Sequence, residues 1–159
     1  MIVFEDDDSD LYDPLNDGIT HINTYSRGKT LLGRMLSNFY HAPFEHPEFG
    51  KFDSVEGFWY WYKTGAKYDT LRNLSGYKAK EEGKKYPTVE VDDFSERVLE
   101  CLVLKITSNT EIYNELKDST LPFVHYYYYG EENPKVHKVP SGDWLMEALE
   151  DIRKLIKED

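Results

Sequence analysis

Between Ser54 and Gly65 the chain reads "SVEGFWYWYKTG", and the five consecutive aromatic side chains from Phe58 to Tyr62 leave it few ways to fold. A run that dense has to bury part of its surface. Ser54 is a good N-cap, because its hydroxyl can accept one of the first free N–H groups of a helix. Gly65 suits the position just past a helix C-terminus. The expected element is a helix from about Val55 to Thr64. At 3.6 residues per turn, Val55, Phe58, Trp59 and Tyr62 share one face. Glu56, Tyr60 and Lys63 fall on another, at i, i+4 and i+7, so a carboxylate, a phenol and an ammonium stand in one row. Periodicity by itself makes that row an exposed strip with an ordinary surface pair, and a negative charge suits the first turn in any case. The other reading is an acid held in a pocket beside aromatic walls.

Upstream, "ITHINTYS" favours β-branched types and alternates, which predicts a strand from about Ile19 to Tyr25. "MIVF" reads as a short strand, "EDDDSD" as a solvated acidic turn, and "RGKTLLGRMLSN" as holding a short turn. "HAPFEHPEFGKF" fits a small hairpin about Gly50. Beyond the aromatic helix, "KYDTLRNLSG" and "YKAKEEGKKY" predict two short helices divided at Ser75 and Gly76. "EVDDFSERVLECLVLKITSN" is the clearest long helix, with Val98, Leu99, Leu102, Lys105 and Ile106 together and Asp92 or Asp93 as its cap. "TEIYNELKDS" is amphipathic, with Ile112, Tyr113 and Leu116 inward. "LPFVHYYYYG" is a β-type run, and "EENPKVHKVPSGD" a loop. The last helix runs from about Gly142 to Lys157, with Leu145, Leu149, Ile152, Leu155 and Ile156 in a stripe. The fold class expected is α+β, a mostly helical single domain over 1–159. Its one small antiparallel sheet draws on the N-terminal strands, the Phe44/Phe52 hairpin and "FVHYYYY", with 1–23 as an N-terminal extension.

With 159 residues and 40% hydrophobic content the chain can bury a real core. A formal charge of −11 argues against long-range attraction to phosphate backbones, yet permits a small anionic ligand in a local basic site or a basic protein partner. The lone Cys101 excludes an intrachain disulfide and a cysteine-based zinc site, and reads as a small core residue. The N-terminus turns acidic after four apolar residues, unlike a signal peptide, and no apolar run approaches the length of a membrane span, so a reducing cytoplasm is expected. "RGKT" resembles the end of a phosphate-binding loop, but Asn23 stands where that loop needs its first glycine. His21, His41, His46, His125 and His137 lack metal-like spacing, and the expected cofactor is none.

The order of residues in "LSNFYHAPFEHPEFGKFDSVEGFWYWYKTG" resembles the signature of the NADAR superfamily, named for its association with NAD and ADP-ribose. The matching positions are Ser37, Asn38, Phe39, Pro43, Phe44, Gly50, Ser54, Glu56 and Lys63. "YKAKEEGKKY" is similar to the family's Ala-x-x-x-Gly segment through Ala79 and Gly83. Looser likeness runs from about Thr24 to Lys157. The sequence departs from the family in several places: the Asp a few residues before the family's Tyr-Trp-Gly is missing, its place falling near Tyr126 with His125 beside it; Tyr129 stands for the Trp; Ile106 stands for an aromatic residue; the Asn before the last helix aligns near Val139 and is missing; and two glutamines are replaced by Tyr60 and Tyr62.

The resemblance implies an N-glycosidase cleaving a ribosyl or ADP-ribosyl nucleotide-like substrate, such as a ribosylated pyrimidine intermediate of riboflavin synthesis or ADP-ribosylated guanine. Such a bond breaks through an oxocarbenium-like centre, which needs a carboxylate near the anomeric carbon, a proton route to the leaving base and a dry pocket. The resemblance assigns catalysis to Glu56 and Lys63. It assigns substrate binding to Ser37, Asn38 and Phe39, with Trp59, Tyr60, Tyr128 and Tyr129 for stacking or proton donation. His125 and Asp143 are the candidates to replace the missing Asp. The alternatives are a non-catalytic module that binds and sequesters ADP-ribose or a related nucleotide, and an acidic inhibitor of a basic protein.

Overall fold

A computed structural model describes residues 11–130, 135–139 and 143–158. The "MIVF" and "EDDDSD" readings lie outside them. In chain order the elements are β1 (Ile22–Asn23), α1 (Leu31–Leu36), β2 (Phe44–His46), β3 (Gly50–Phe52), α2 (Val55–Lys63), α3 (Gly76–Gly83), α4 (Phe94–Thr107) and α5 (Thr110–Asp118). They continue with β4 (Phe123–Val124), β5 (Tyr126–Tyr129), β6 (Lys135–Lys138) and α6 (Asp143–Lys157). Two 3₁₀ turns, Pro14–Asn16 and Asp69–Asn73, complete the list. The class is α+β and mostly helical, as expected. Among the described residues no helix is long and apolar enough to cross a membrane.

The strands do not join into one antiparallel sheet. They form three separate pairs: β1 beside β4 in parallel, and β2–β3 and β5–β6 antiparallel. The expected strand over 19–25 shrinks to Ile22–Asn23. Turn hydrogen bonds consume the backbone on either side: the Gly18 N–H donates to the His21 carbonyl, and the Tyr25 N–H to that of Asn23. The "RGKTLLGRMLSN" segment is helical rather than a turn, because the Thr30 hydroxyl caps it by accepting the Gly33 N–H at 2.9 Å. Part of the expected "EENPKVHKVPSGD" loop is strand β6.

The chain groups into two compact units, residues 1–37 with 114–159, and residues 38–113. In the first, the side-chain amide of Asn23 bonds both backbone groups of Tyr126, at 3.0 Å each, and so ties β1 to β5. The Tyr126 hydroxyl reaches His21 Nε2 at 2.6 Å. On α6 the buried stripe is Leu145, Leu149, Ile152 and Ile156; Leu155, expected among them, is 65% exposed because it lies one residue off that 3–4 spacing.

The second unit is built round aromatic rings. Phe44 and Phe52 face each other across the β2–β3 hairpin and stack at 5.9 Å. The hairpin turn is fixed by His46, whose Nδ1 accepts the N–H groups of Glu48 and Phe49. Nε2 therefore carries the proton and donates to Glu100 at 2.8 Å. On α2 the buried residues are Val55, Gly57, Phe58 and Trp61. Trp61 was absent from the face drawn by periodicity. It is buried because the 69–73 turn covers that side: its indole N–H donates to Asp69 at 2.9 Å, and the Arg72 guanidinium lies 4.5 Å from its ring and 4.6 Å from Phe52. Asp93 stands at the start of α4 but makes no side-chain cap; its carboxylate accepts from Tyr62 and Arg97 instead. Leu99, placed inward by periodicity, is 39% exposed.

Candidate functional site

The site forms at the N-terminus of α2. Ser54 caps the helix as its sequence predicts, accepting the Gly57 N–H at 3.0 Å and donating to the Leu74 carbonyl at 2.8 Å. Gly65 follows with φ +105°, a conformation that suits glycine at a helix end. The Glu56 N–H donates to the Asn38 carbonyl at 3.0 Å, and the Gly76 N–H to the Phe39 carbonyl at 3.0 Å. The backbone of Asn38 and Phe39 thus links the starts of α2 and α3.

The two helices approach closely because α3 offers small residues. Ala79 and Gly83 are buried, and a Cβ added at Gly83 would lie 2.2 Å from Cγ of Tyr60. That spacing lets the long side chains beside them reach the Glu56 row. Lys80 Nζ sits 6.0 Å over the Phe39 ring, Lys63 Nζ sits 5.9 Å over Trp59, and the Tyr77 ring meets Phe39 edge-on at 5.1 Å. Trp59 is itself braced by Phe94 at 4.8 Å.

Glu56 is half-buried. Among the described residues its carboxylate makes no hydrogen bond and closes no ion pair. Burial lifts its pKa from about 4.5 to about 7, against the opposing pull of Lys80, then Lys63, then Lys84. Desolvation outweighs three cations because none is close enough to form a pair. A carboxyl poised near 7 is balanced between giving and taking a proton at neutral pH.

Of the residues singled out in the sequence, Asn38, Phe39, Glu56, Trp59, Tyr60 and Lys63 belong to the second unit, Asn38 meeting Glu56 through its backbone carbonyl. Ser37, His125, Tyr128, Tyr129 and Asp143 belong to the first unit. There Ser37 is buried at the end of α1, and the Tyr128 hydroxyl donates to the Arg27 carbonyl at 3.1 Å. Tyr129 stacks on His137 at 5.5 Å, and Asp143 is the exposed first residue of α6. Burial lowers the pKa of His125, whose Nδ1 is shut away from solvent and, among the described residues, has no hydrogen-bond partner.

Tyr77, Lys80 and Lys84 escaped the sequence reading. Their signal was the Ala79/Gly83 spacing, which marks the inward side of α3 and so places its neighbours beside the partner helix. Among the described residues no group of three His, Cys, Asp or Glu side chains is placed to hold a metal ion. Cys101 is buried, and burial pushes its thiol pKa up, as expected of a core residue. No family model matches the chain, and neither does any curated protein or solved structure.

Proposed function

We propose that the chain is an N-glycoside hydrolase acting in the cytoplasm on a ribosyl or ADP-ribosyl nucleotide-like compound, with Glu56 as its central carboxylate. The observation that carries this reading is the half-buried Glu56, unpaired among the described residues and with a pKa near 7, facing three lysines of which Lys63 lies over the Trp59 ring and Lys80 over that of Phe39. In its ionised form Glu56 stabilises positive charge at the anomeric carbon and accepts a proton from the attacking water. The water oxygen bonds to that carbon as the C–N bond breaks, its electron pair leaves with the base, and the base takes up a proton. Lys63, Lys80 and Lys84, which close no ion pair among the described residues, are available to phosphate oxygens. Phe39, Trp59 and Tyr77 offer faces and edges for a flat base. This chemistry as written calls on no cofactor.

The second reading, a module that binds an ADP-ribose-like nucleotide without cleaving it, draws on the absence of the family's Asp and Asn. One experiment separates the two. Wild type and Glu56→Gln are incubated with ADP-ribose, NAD, ribosylaminouracil phosphate and ADP-ribosylated guanosine in DNA. Products are read by mass spectrometry and binding by calorimetry. Hydrolysis should fall by roughly 10²–10⁴ in the variant while binding persists. Equal turnover by both proteins refutes the role of Glu56, and binding without turnover by wild type establishes the second reading.

A further inference from the structure

Away from Glu56, the first unit holds an open cleft of about 320 Å³. Its lining combines aliphatic Ile22, Leu31, Leu32 and Leu121 with the acidic residues Glu115 and Asp118. Apolar surface spills out of the cleft. Leu31 is 40% exposed, and Ile19, next in the chain to the lining residue Gly18, is 69% exposed. Large aliphatic side chains left this open beside a concave surface mark an interaction site more often than a plain surface.

The charge of the lining is unbalanced. Glu115 and Asp118 lie three residues apart on α5, on one side of the helix. Asp118 is the last residue of that helix, where the carbonyl end of the helix dipole disfavours a negative charge. Among the described residues neither carboxylate has an ion-pair partner, and Lys117 of the same turn does not line the cleft. Two carboxylates and a helix C-terminus together make a local negative field next to an apolar hollow. The matching surface has aliphatic side chains flanked by cations about one helical turn apart.

We infer that this cleft docks a basic amphipathic helix of a partner protein, whose leucine-like side chains enter between Leu31 and Leu121 while its lysines or arginines meet Glu115 and Asp118. The chain's overall charge of −11 steers such a partner toward it, and the cleft decides where it lands.

The test is fluorescence anisotropy with a labelled helical peptide of leucine and lysine, titrated with the full chain. A peptide with glutamate in place of lysine is the control. Glu115→Gln with Asp118→Asn should weaken binding roughly tenfold, the combined loss of two exposed ion pairs. Leu31→Ser should weaken it several-fold by removing apolar contact. Glu147→Gln with Asp151→Asn, which removes the same charge from the exposed face of α6, should change it less than about twofold. All five sites are exposed, so folding is preserved. The inference is overturned if the lysine peptide does not bind, if the glutamate peptide binds equally, if Leu31→Ser has no effect, or if the α6 pair weakens binding as much as the α5 pair.

Discussion

Replacing Glu56 by glutamine should make the protein more stable at pH 8 and leave its stability unchanged near pH 4. The folded state holds the Glu56 proton up to about pH 7, while the unfolded chain releases it near 4.5. Over that window the folded protein binds a proton that the unfolded chain has lost, so stability falls as the pH rises. Below it both states are protonated and the penalty vanishes; above it both are ionised and the penalty is complete. The two values differ by about 2.5, and at about 1.4 kcal/mol for each tenfold change this amounts to about 3 kcal/mol. Partial exposure of the side chain screens the charge, so about 2–3 kcal/mol is the expected gain. Glutamine keeps the shape and cannot ionise. Urea unfolding of both proteins at pH 4, 6 and 8, followed through fluorescence of Trp59 and Trp61, reads the difference directly. With a slope of 1–3 kcal/mol per molar, the midpoint should rise by about 1–2 M at pH 8. Every other titrating group is common to both proteins and cancels. A gain that is the same at all three pH values, or a less stable variant at pH 8, would refute the claim that burial governs this carboxyl.

Two further perturbations probe the same geometry. Lys80→Met removes the strongest of the three cations that oppose burial, so the Glu56 pKa should climb above 7; carboxyl ¹³C NMR titration tests this, and an unchanged or lower value contradicts it. Gly83→Ala would stabilise an ordinary helix by about 1 kcal/mol. Here the new Cβ meets Cγ, Cδ1 and Cβ of Tyr60 between 2.2 and 2.5 Å, near the ring's anchored end, so overpacking of about 1–3 kcal/mol should win and the thermal midpoint should drop.

The sequence was most legible where chemistry is local. Ser54 and Gly65 delimited α2 because capping depends on a few adjacent atoms, and the Glu56, Tyr60 and Lys63 row followed from helical period alone. What covers that row was hidden. "YKAKEEGK" is so polar that it reads as solvated, and only its packing on α2 through Ala79 and Gly83 brings Lys80 and Lys84 near Glu56. Trp61 was missed for the same reason, since the Asp69–Asn73 turn that buries it leaves no periodic mark. The β-branched stretch at 19–25 overstated its strand because Asp17 accepts the Asn23 N–H at 3.0 Å and bends the chain there. Strands of two to four residues carry too little pattern to announce whether they will merge into one sheet.

The pressing of Tyr60 onto Gly83 also divides the labour along α3. Ala79 and Gly83 are held to the smallest sizes by the helix they touch, so drift at those two positions is blocked by folding itself. Tyr77, Lys80 and Lys84 are under no such constraint, and they are the side chains that set charge and aromatic surface around the carboxylate. Outward substitutions on this single helix can therefore change the charge and aromatic surface around Glu56, while the acid and the packing beneath it stay fixed.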